Sequence, residues 1–150
     1  MRAYPDTTFL FSFYLKQQHS SRAAAYAATM REPLSLTSLL QYEFRQALRF
    51  QAFRNIQNPR EGVTRRDAEM ASKLMESDLA NGIAVLVPCN ITEVLRRAEH
   101  LSTRHTIRGG HRSFDILHVA TALTLRAREF LTFDTNQQKL AAAEGLKTMP

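Results

Sequence analysis

Cysteine, glycine and proline are scarce in this sequence, and each scarcity excludes a class of protein. The single cysteine, Cys89, excludes a framework of internal disulfides and suits a reducing cytosol. Five glycines and five prolines are too few for a disordered or low-complexity chain. No apolar run approaches the roughly 18 residues of a membrane span, and Asp6 stands where a signal peptide would carry basic residues. We therefore expect a cytoplasmic protein with no membrane contact.

The residues that are present suit one globular domain. The chain has 150 residues, of which 44% are hydrophobic, and this is enough to bury a core without covalent cross-links. We expect a single domain over 1–150. The 20 Lys and Arg residues outnumber the 14 Asp and Glu residues, which gives a net charge of +6. This balance fits nucleic-acid binding and an ordinary solvated surface about equally well.

Short apolar segments alternate with helical patterns along the whole chain. This alternation is typical of an α/β fold in which a mostly parallel sheet carries helices on both faces. Residues 116–125 are nearly continuous Ile, Leu, Val and Ala, so we expect a helix that is buried on most sides. The predicted strands cover 1–6, 33–36, 83–87, 129–133 and 146–149, and the predicted helices begin near residues 8, 22, 38, 64, 90, 116 and 137.

Four carboxylates occupy positions that favour a site. Asp6, Asp115 and Asp134 each lie near the start of a predicted helix, where an N-cap or the helix dipole also explains an acid. Asp6 and Asp134 also follow predicted strands, at the sheet edge where α/β proteins build their sites. Glu43 lies in mid-helix on an apolar stripe with Leu39, Leu40, Ala47 and Phe50. A buried Glu43 requires an arginine partner, a proton or a metal ion.

A cluster of these acids would need a cation. Two carboxylates about 5 Å apart repel by about 3 kcal/mol at an effective dielectric of roughly 20. Oxygen ligands select Mg²⁺ or Mn²⁺ over zinc, and such ions activate water and polarise phosphate during phosphodiester hydrolysis. The basic balance of the chain would then hold a polyanion. The sequence thus leaves two interpretations, separate helix caps or a metal-dependent nuclease site.

Other candidate residues carry weaker signals. His118 lies one turn after Asp115. A buried histidine whose ring nitrogens are hydrogen-bonded in the core is a better interpretation of this residue than a catalytic base. Cys89 has no positioned histidine or second cysteine in sequence, so we expect it to be structural. His100 and His105 do not share a helix face, which disfavours a histidine metal site. Neither a dinucleotide-binding nor a P-loop glycine motif occurs.

Four segments together resemble the PIN domain, and specifically the VapC-type toxins of bacterial toxin–antitoxin pairs. They follow one another along essentially the whole chain: YPDTT at 4–8, LTSLLQYE at 36–43, SFDILHVATA at 113–122 and FLTFD at 130–134. The resemblance implies a three-layer α/β/α sandwich with a central, mostly parallel sheet. It also implies an acidic site, in which the residues matching the family's acids are Asp6, Glu43, Asp115 and Asp134, and Thr7 or Thr8 positions a metal-bound water or a phosphate.

The resemblance implies a function as well. Such proteins are Mg²⁺-dependent ribonucleases, so we expect RNA as the substrate, a cognate antitoxin as a partner, and a homodimer. The aromatic first helix is a candidate for part of the dimer interface, although core packing explains about half of its aromatic residues (Phe9, Phe11, Phe13 and Tyr14).

One departure and two rival functions accompany the resemblance. Pro5 stands where these proteins carry an aliphatic residue. This departure puts the pairing of the first strand in doubt more than the role of Asp6.

One rival is a PIN fold that binds nucleic acid or protein without cutting. The other is a solitary housekeeping or DNA-directed nuclease on the same fold.

Overall fold

The computed structural model describes residues 2–150, so Met1 of the predicted first strand lies outside the described residues. Within this range, each of the first four strands is followed by one or two helices. The strands are β1 (Ala3–Pro5), β2 (Leu34–Leu36), β3 (Ala84–Leu86), β4 (Glu129–Leu131) and β5 (Lys147–Met149). The helices are α1 (Thr7–Tyr14), α2 (Ser20–Thr29), α3 (Ser38–Gln57), α4 (Arg65–Ala80), α5 (Ile91–Gly109), α6 (Ser113–Thr124) and α7 (Thr135–Ala143).

The strand pairs are parallel, which confirms the predicted mostly parallel sheet. β1 pairs with β4 and β4 with β5 in one ladder, while β2 pairs with β3 in another. β1 and β2 pack side by side, so the spatial order is β3–β2–β1–β4–β5. The chain order reverses beside β1, and α/β sheets place their sites at the carboxyl edge next to such a reversal.

Pro5 ends β1 and lies at the boundary between the two ladders. The Asp6 amide donates to Leu131 O of β4 at 2.9 Å, so the preceding position faces the other way, toward β2. Pro5 has no amide hydrogen to donate to that neighbour. The disturbance expected from Pro5 is therefore confined to the β2 side, because Pro5 aligns with Leu131 in the ladder with β4.

The helices form two packed groups that cover the sheet, α1 to α4 and α5 to α7. α6 is buried along most of its length, as its composition predicts. The aromatic rings of α1 lie in the core or pack against it, so α1 has an internal packing role. The resulting three layers confirm the predicted α/β/α sandwich. Within residues 2–150, no helix combines the length and apolarity that a membrane crossing requires.

The buried face of α3 differs from the predicted stripe. Its buried residues are Leu40, Phe44, Leu48 and Ala52, whereas Phe50 is 55% exposed. Apolar residues surround this helix, so their spacing does not select one face. The prediction that Glu43 lies on the buried stripe is therefore wrong, because its side chain stands beside the buried face and is 21% exposed.

Candidate active site

A cleft of about 510 Å³ lies at the carboxyl edge of the sheet, beside the ends of β1 and β4. It collects side chains from five parts of the chain, including α1, α3, α6 and the start of α7. Three of the four predicted acids and both predicted threonines line it: Thr7, Thr8, Glu43, Asp115 and Asp134.

Asp6 is fully buried beneath this cleft, with both carboxylate oxygens hydrogen-bonded. Its Oδ1 accepts from Thr8 Oγ1 at 2.8 Å and from Phe9 N at 2.9 Å, which makes Asp6 the N-cap of α1. Its Oδ2 accepts from Thr132 Oγ1 at 2.6 Å and from Gln137 Nε2 at 2.8 Å. Burial raises the pKa of Asp6 to about 6, against the opposing effect of these hydrogen bonds. A cation nearby would favour its ionised form.

The two threonines of α1 have different environments. Thr8 donates to Asp6 and accepts from Phe133 N at 2.9 Å, so it ties the start of α1 to the segment after β4. Thr7 Oγ1 is buried and has no hydrogen-bond partner within residues 2–150. A buried hydroxyl without a partner is costly, and a ligand in the cleft would satisfy it.

Glu43 is held by a histidine, so the alternative of an arginine partner is wrong. His118 Nε2 lies 2.7 Å from Glu43 Oε2, and His118 Nδ1 lies 3.1 Å from Tyr4 Oη. Burial raises the pKa of the Tyr4 phenol well above its usual range, so the phenol keeps its proton. His118 Nε2 donates to Glu43. His118 is thus a buried, satisfied histidine, which is the interpretation that the sequence favours.

Asp115 lies inside the first turn of α6, because that helix begins at Ser113, three residues before the predicted start. Its Oδ2 accepts from Arg112 N at 3.0 Å and lies 3.4 Å from Arg112 Nε. The Arg112 side chain is 80% exposed, so solvent weakens this ion pair. Asp115 itself is 6% exposed and combines a first-turn role with a position on the cleft wall.

Asp134 is the N-cap of α7, and this explains why that helix begins at Thr135 and not at Gln137. Its Oδ1 accepts from Asn136 N at 2.7 Å and from Gln137 N at 3.0 Å. The capping interpretation therefore holds for Asp134, as it does for Asp6. Capping uses only one of the two Asp134 oxygens, and the side chain still lines the cleft.

The oxygens around the cleft fit a divalent ion that keeps part of its water shell. Within residues 2–150, no three His, Cys, Asp or Glu side chains lie close enough together to bind one ion directly. Mg²⁺ is commonly held by one or two carboxylates together with several waters, so a looser arrangement suffices. Two buried oxygens at this site, Thr7 Oγ1 and Gln137 Oε1, have no partner in the described chain. The donors are all oxygen, as Mg²⁺ and Mn²⁺ prefer.

A comparison with protein families assigns the chain to a family. The model described as the PIN domain matches residues 3–143, a span that contains all four acids and both threonines. The chain belongs to the PIN domain family. No protein with a curated description matches the sequence.

Solved structures share this PIN fold at low sequence identity. VapC20 from Mycobacterium tuberculosis, described as a toxin that cleaves the sarcin-ricin loop, is 16% identical with a TM-score of 0.67, over 99% of each chain. VapBC-1 from nontypeable Haemophilus influenzae is 11% identical with a TM-score of 0.66, over 99% of this chain and 97% of that one. PAE2754 from Pyrobaculum aerophilum is 17% identical with a TM-score of 0.58, over 99% of this chain and 90% of that one.

Sequence reasoning missed three residues that contact the acids of this PIN domain. Thr132 and Gln137 donate to Asp6, and Arg112 contacts Asp115. A threonine within the apolar run 130–133 was the available signal, since a polar residue there needs a partner. Gln137 and Arg112 carried no comparable signal, because polar and charged residues are common near the start of a helix and do not by themselves indicate a contact.

Proposed function

We propose that this PIN domain is a metal-dependent endoribonuclease that hydrolyses RNA phosphodiester bonds, and that it acts as the toxin of a toxin–antitoxin pair. The observation that carries the proposal is the single cleft that unites Glu43, Asp115 and Asp134 above the buried Asp6. Membership of the PIN family and the structural similarity to VapC20, a cleaving toxin, support it.

The ion proposed for this site is Mg²⁺ or Mn²⁺, held partly through its bound waters by Asp6, Glu43 and Asp115, with Asp134 closing the site or orienting water. When bound, such an ion neutralises phosphate charge and lowers the pKa of an attacking water. The protein's own contribution is positioning. Hydrogen bonds from Thr8 and Thr132 fix the two oxygens of Asp6, and His118 fixes Glu43. The unpartnered hydroxyl of Thr7 is suited to donating to a phosphate oxygen or a water.

We also propose a cognate antitoxin and a homodimer as the assembly of this protein. Similarity to VapBC-1 supports the antitoxin. Several large apolar side chains are more than half exposed, including Phe50, Phe53 and Ile56 of α3, and this supports cover by another protein surface.

The cleavage proposal is tested with two substitutions at the cleft and one matched control. Asp115→Asn and Glu43→Gln each remove a negative charge with little change of shape. Glu99→Gln makes the same change on the exposed face of α5, outside the cleft. Each protein is incubated with labelled single-stranded RNA or DNA, in Mg²⁺ or in EDTA. We expect cleavage of RNA in Mg²⁺ alone, a loss of about 100-fold or more at the cleft, and no loss in the control.

The outcomes separate the proposal from its rivals. Cleavage by Asp115→Asn and Glu43→Gln at the wild-type rate would contradict the acidic site. Preferential cleavage of DNA would indicate the DNA-directed nuclease. If the wild-type protein binds RNA but does not cleave it in Mg²⁺, this result would indicate a binding module.

A further inference from the structure

A second cleft, of about 800 Å³, lies between the end of α5, the turn that follows it, and α7. Its lining is basic, and within the described chain no carboxylate lines it. The charged or titratable residues that line it are Arg104, His105, Arg108, His111 and Lys139. Its charge is therefore opposite in sign to that of the first cleft, where three acids converge.

Two of these basic side chains are available to a ligand. Glu144 Oε1 lies 3.2 Å from Arg104 Nη1 and 2.7 Å from His105 Nε2, so this carboxylate compensates Arg104. Arg108 and Lys139 are exposed and form no ion pair within residues 2–150. Two uncompensated cations on facing walls of one cleft favour an anion that spans it.

The basic cleft lies next to the acidic one, and Asn136 stands between them. The backbone N of Asn136 donates to Asp134 Oδ1 at 2.7 Å, on the acidic side. Its side-chain Nδ2 donates to Gly109 O at 3.2 Å and lies 3.2 Å from His111 Nδ1, on the basic side. The next residue after His111 is Arg112, which lines the acidic cleft. Neighbouring residues, His111 with Arg112 and Asn136 with Gln137, thus line the two clefts, so a polymer that leaves one cleft at this point meets the other.

We propose that the basic cleft between α5 and α7 holds the sugar–phosphate backbone of the RNA strand on one side of the bond that is cut. This inference rests on the proposed function, because it assigns a strand path to the same site. Arg108 and Lys139 contact successive phosphates, and Asn136 lies where the strand enters the acidic cleft. An acidic peptide from a protein partner is the competing ligand, but the position of the cleft beside the proposed phosphodiester-cleaving site favours RNA.

The test measures binding separately from cleavage. The double variant Arg108→Gln/Lys139→Gln is compared with the wild-type protein and with Arg66→Gln/Lys73→Gln. The control removes two exposed cations from α4, which belongs to the other helix group. Fluorescence anisotropy of a labelled single-stranded RNA is recorded in EDTA over a range of salt concentrations, so no strand is cut. A labelled polyglutamate peptide is measured in parallel.

We expect the cleft variant to bind RNA about tenfold more weakly and to lose about 1.4 from the slope of log K against log salt, for two lost phosphate contacts. The control is expected to retain the wild-type slope. In single-turnover cleavage, the cleft variant should need more protein for half-maximal rate but reach the wild-type maximum. Since Arg108 and Lys139 are exposed, circular dichroism should show unchanged folding.

Several results would overturn the inference. Equal losses in the cleft variant and the control would mean that general charge, and not the cleft, binds RNA. A loss of polyglutamate binding with unchanged RNA binding would assign the cleft to a protein partner. If the wild-type protein binds RNA through this cleft but never cleaves it, the cleft remains an RNA-binding site, whereas its place beside a bond that is cut fails together with the proposed nuclease activity.

Discussion

At the residue scale, His118 joins two parts of the protein that have different tasks. Its Nδ1 lies 3.1 Å from the Tyr4 phenol oxygen in the core, and its Nε2 donates to Glu43 at the cleft. The imidazole is 1% exposed, so neither contact competes with water. His118 is therefore a positioning residue for Glu43 and not a candidate to touch the substrate.

Substitutions at His118 test this positioning role. His118→Leu removes the donor to Glu43, so we expect weaker Mg²⁺ binding, seen as a higher Mg²⁺ concentration at the half-maximal rate of cleavage. His118→Gln places an amide donor near the position of Nε2 and should restore much of that loss. The loss of buried hydrogen bonds in His118→Leu should also cost about 1–3 kcal/mol in the free energy of unfolding. Titrations with Mg²⁺ and urea check both expectations.

The Leu and Gln variants separate positioning from stability. A variant that is destabilised but needs no additional Mg²⁺ would assign His118 to the core alone. Equal Mg²⁺ requirements in His118→Leu and His118→Gln would show that the donor does not position Glu43.

The spacing of residues in the sequence could not show which side chains contact the acids. Glu43 and His118 are 75 positions apart, and Asp6 and Gln137 are 131 positions apart. The sequence indicated that Glu43 needs a partner, because a buried carboxylate is costly, but it did not distinguish a histidine from an arginine. The grouping of the acids in one cleft depends on tertiary contacts that one sequence does not display.

At the element scale, the loop between α3 and α4 depends on a close approach to α3. Gly62 has a φ of +66°, and a Cβ there would stand 2.1 Å from Gln51 O. Gly82, between α4 and β3, has a similar φ of +73°, but a Cβ there would meet nothing within 4 Å. The two glycines share a backbone conformation and differ in the space around them.

This pair of glycines provides a matched test of the α3–α4 connection. Gly82→Ala should lower the free energy of unfolding by about 1–2 kcal/mol, the cost of a side chain in the left-handed region. Gly62→Ala should cost about 1–3 kcal/mol more, because overpacking is added to the same backbone strain. Urea denaturation monitored by circular dichroism measures both. Equal losses would show that the loop moves away from Gln51 without penalty.

The order and type of the elements could be predicted, whereas several boundaries could not. Apolar segments flanked by breakers identified the strands, and the composition of α6 identified its burial. α6 begins earlier than its apolar run, because Arg112 N and Asp115 close its first turn. β4 ends at Leu131 and not at Phe133, because Thr132 and Phe133 turn toward Asp6 and Thr8. Local side-chain contacts determine where α6 begins and where β4 ends, and the pattern of apolar residues does not reveal those contacts.

At the scale of the whole molecule, apolar surface lies on α3. Phe50 and Phe53 are 55% and 54% exposed, and their ring centroids are 6.2 Å apart. Ile56 extends the same apolar surface and is 69% exposed. The aromatic residues of α1 contribute to the core instead, so a dimer that used apolar surface would engage α3 and not α1.

The proposed homodimer is tested through this surface. We expect the wild-type protein to sediment as a dimer, and Phe50→Ser/Phe53→Ser to shift it toward the monomer by removing buried apolar area. Ile107→Ser is the control, because Ile107 is 95% exposed on α5, in the other helix group. A wild-type monomer at all concentrations would refute the homodimer. A dimer that survives the double substitution would require an interface elsewhere.

The separation of the sheet into two ladders has a consequence for the integrity of the cleft. No ladder joins β1 to β2 in the part of the chain that the structure describes, so β2, α3, α4 and β3 form a block with its own backbone hydrogen bonds. Proteins open locally in such cooperative units, each with its own opening free energy. Glu43 belongs to this block, whereas the other three acids belong to the remainder. The block is joined to the other three acids by the packing of β2 on β1, by helix packing and by the contact from His118 to Glu43, so an opening of these contacts would separate Glu43 from the other acids without global unfolding.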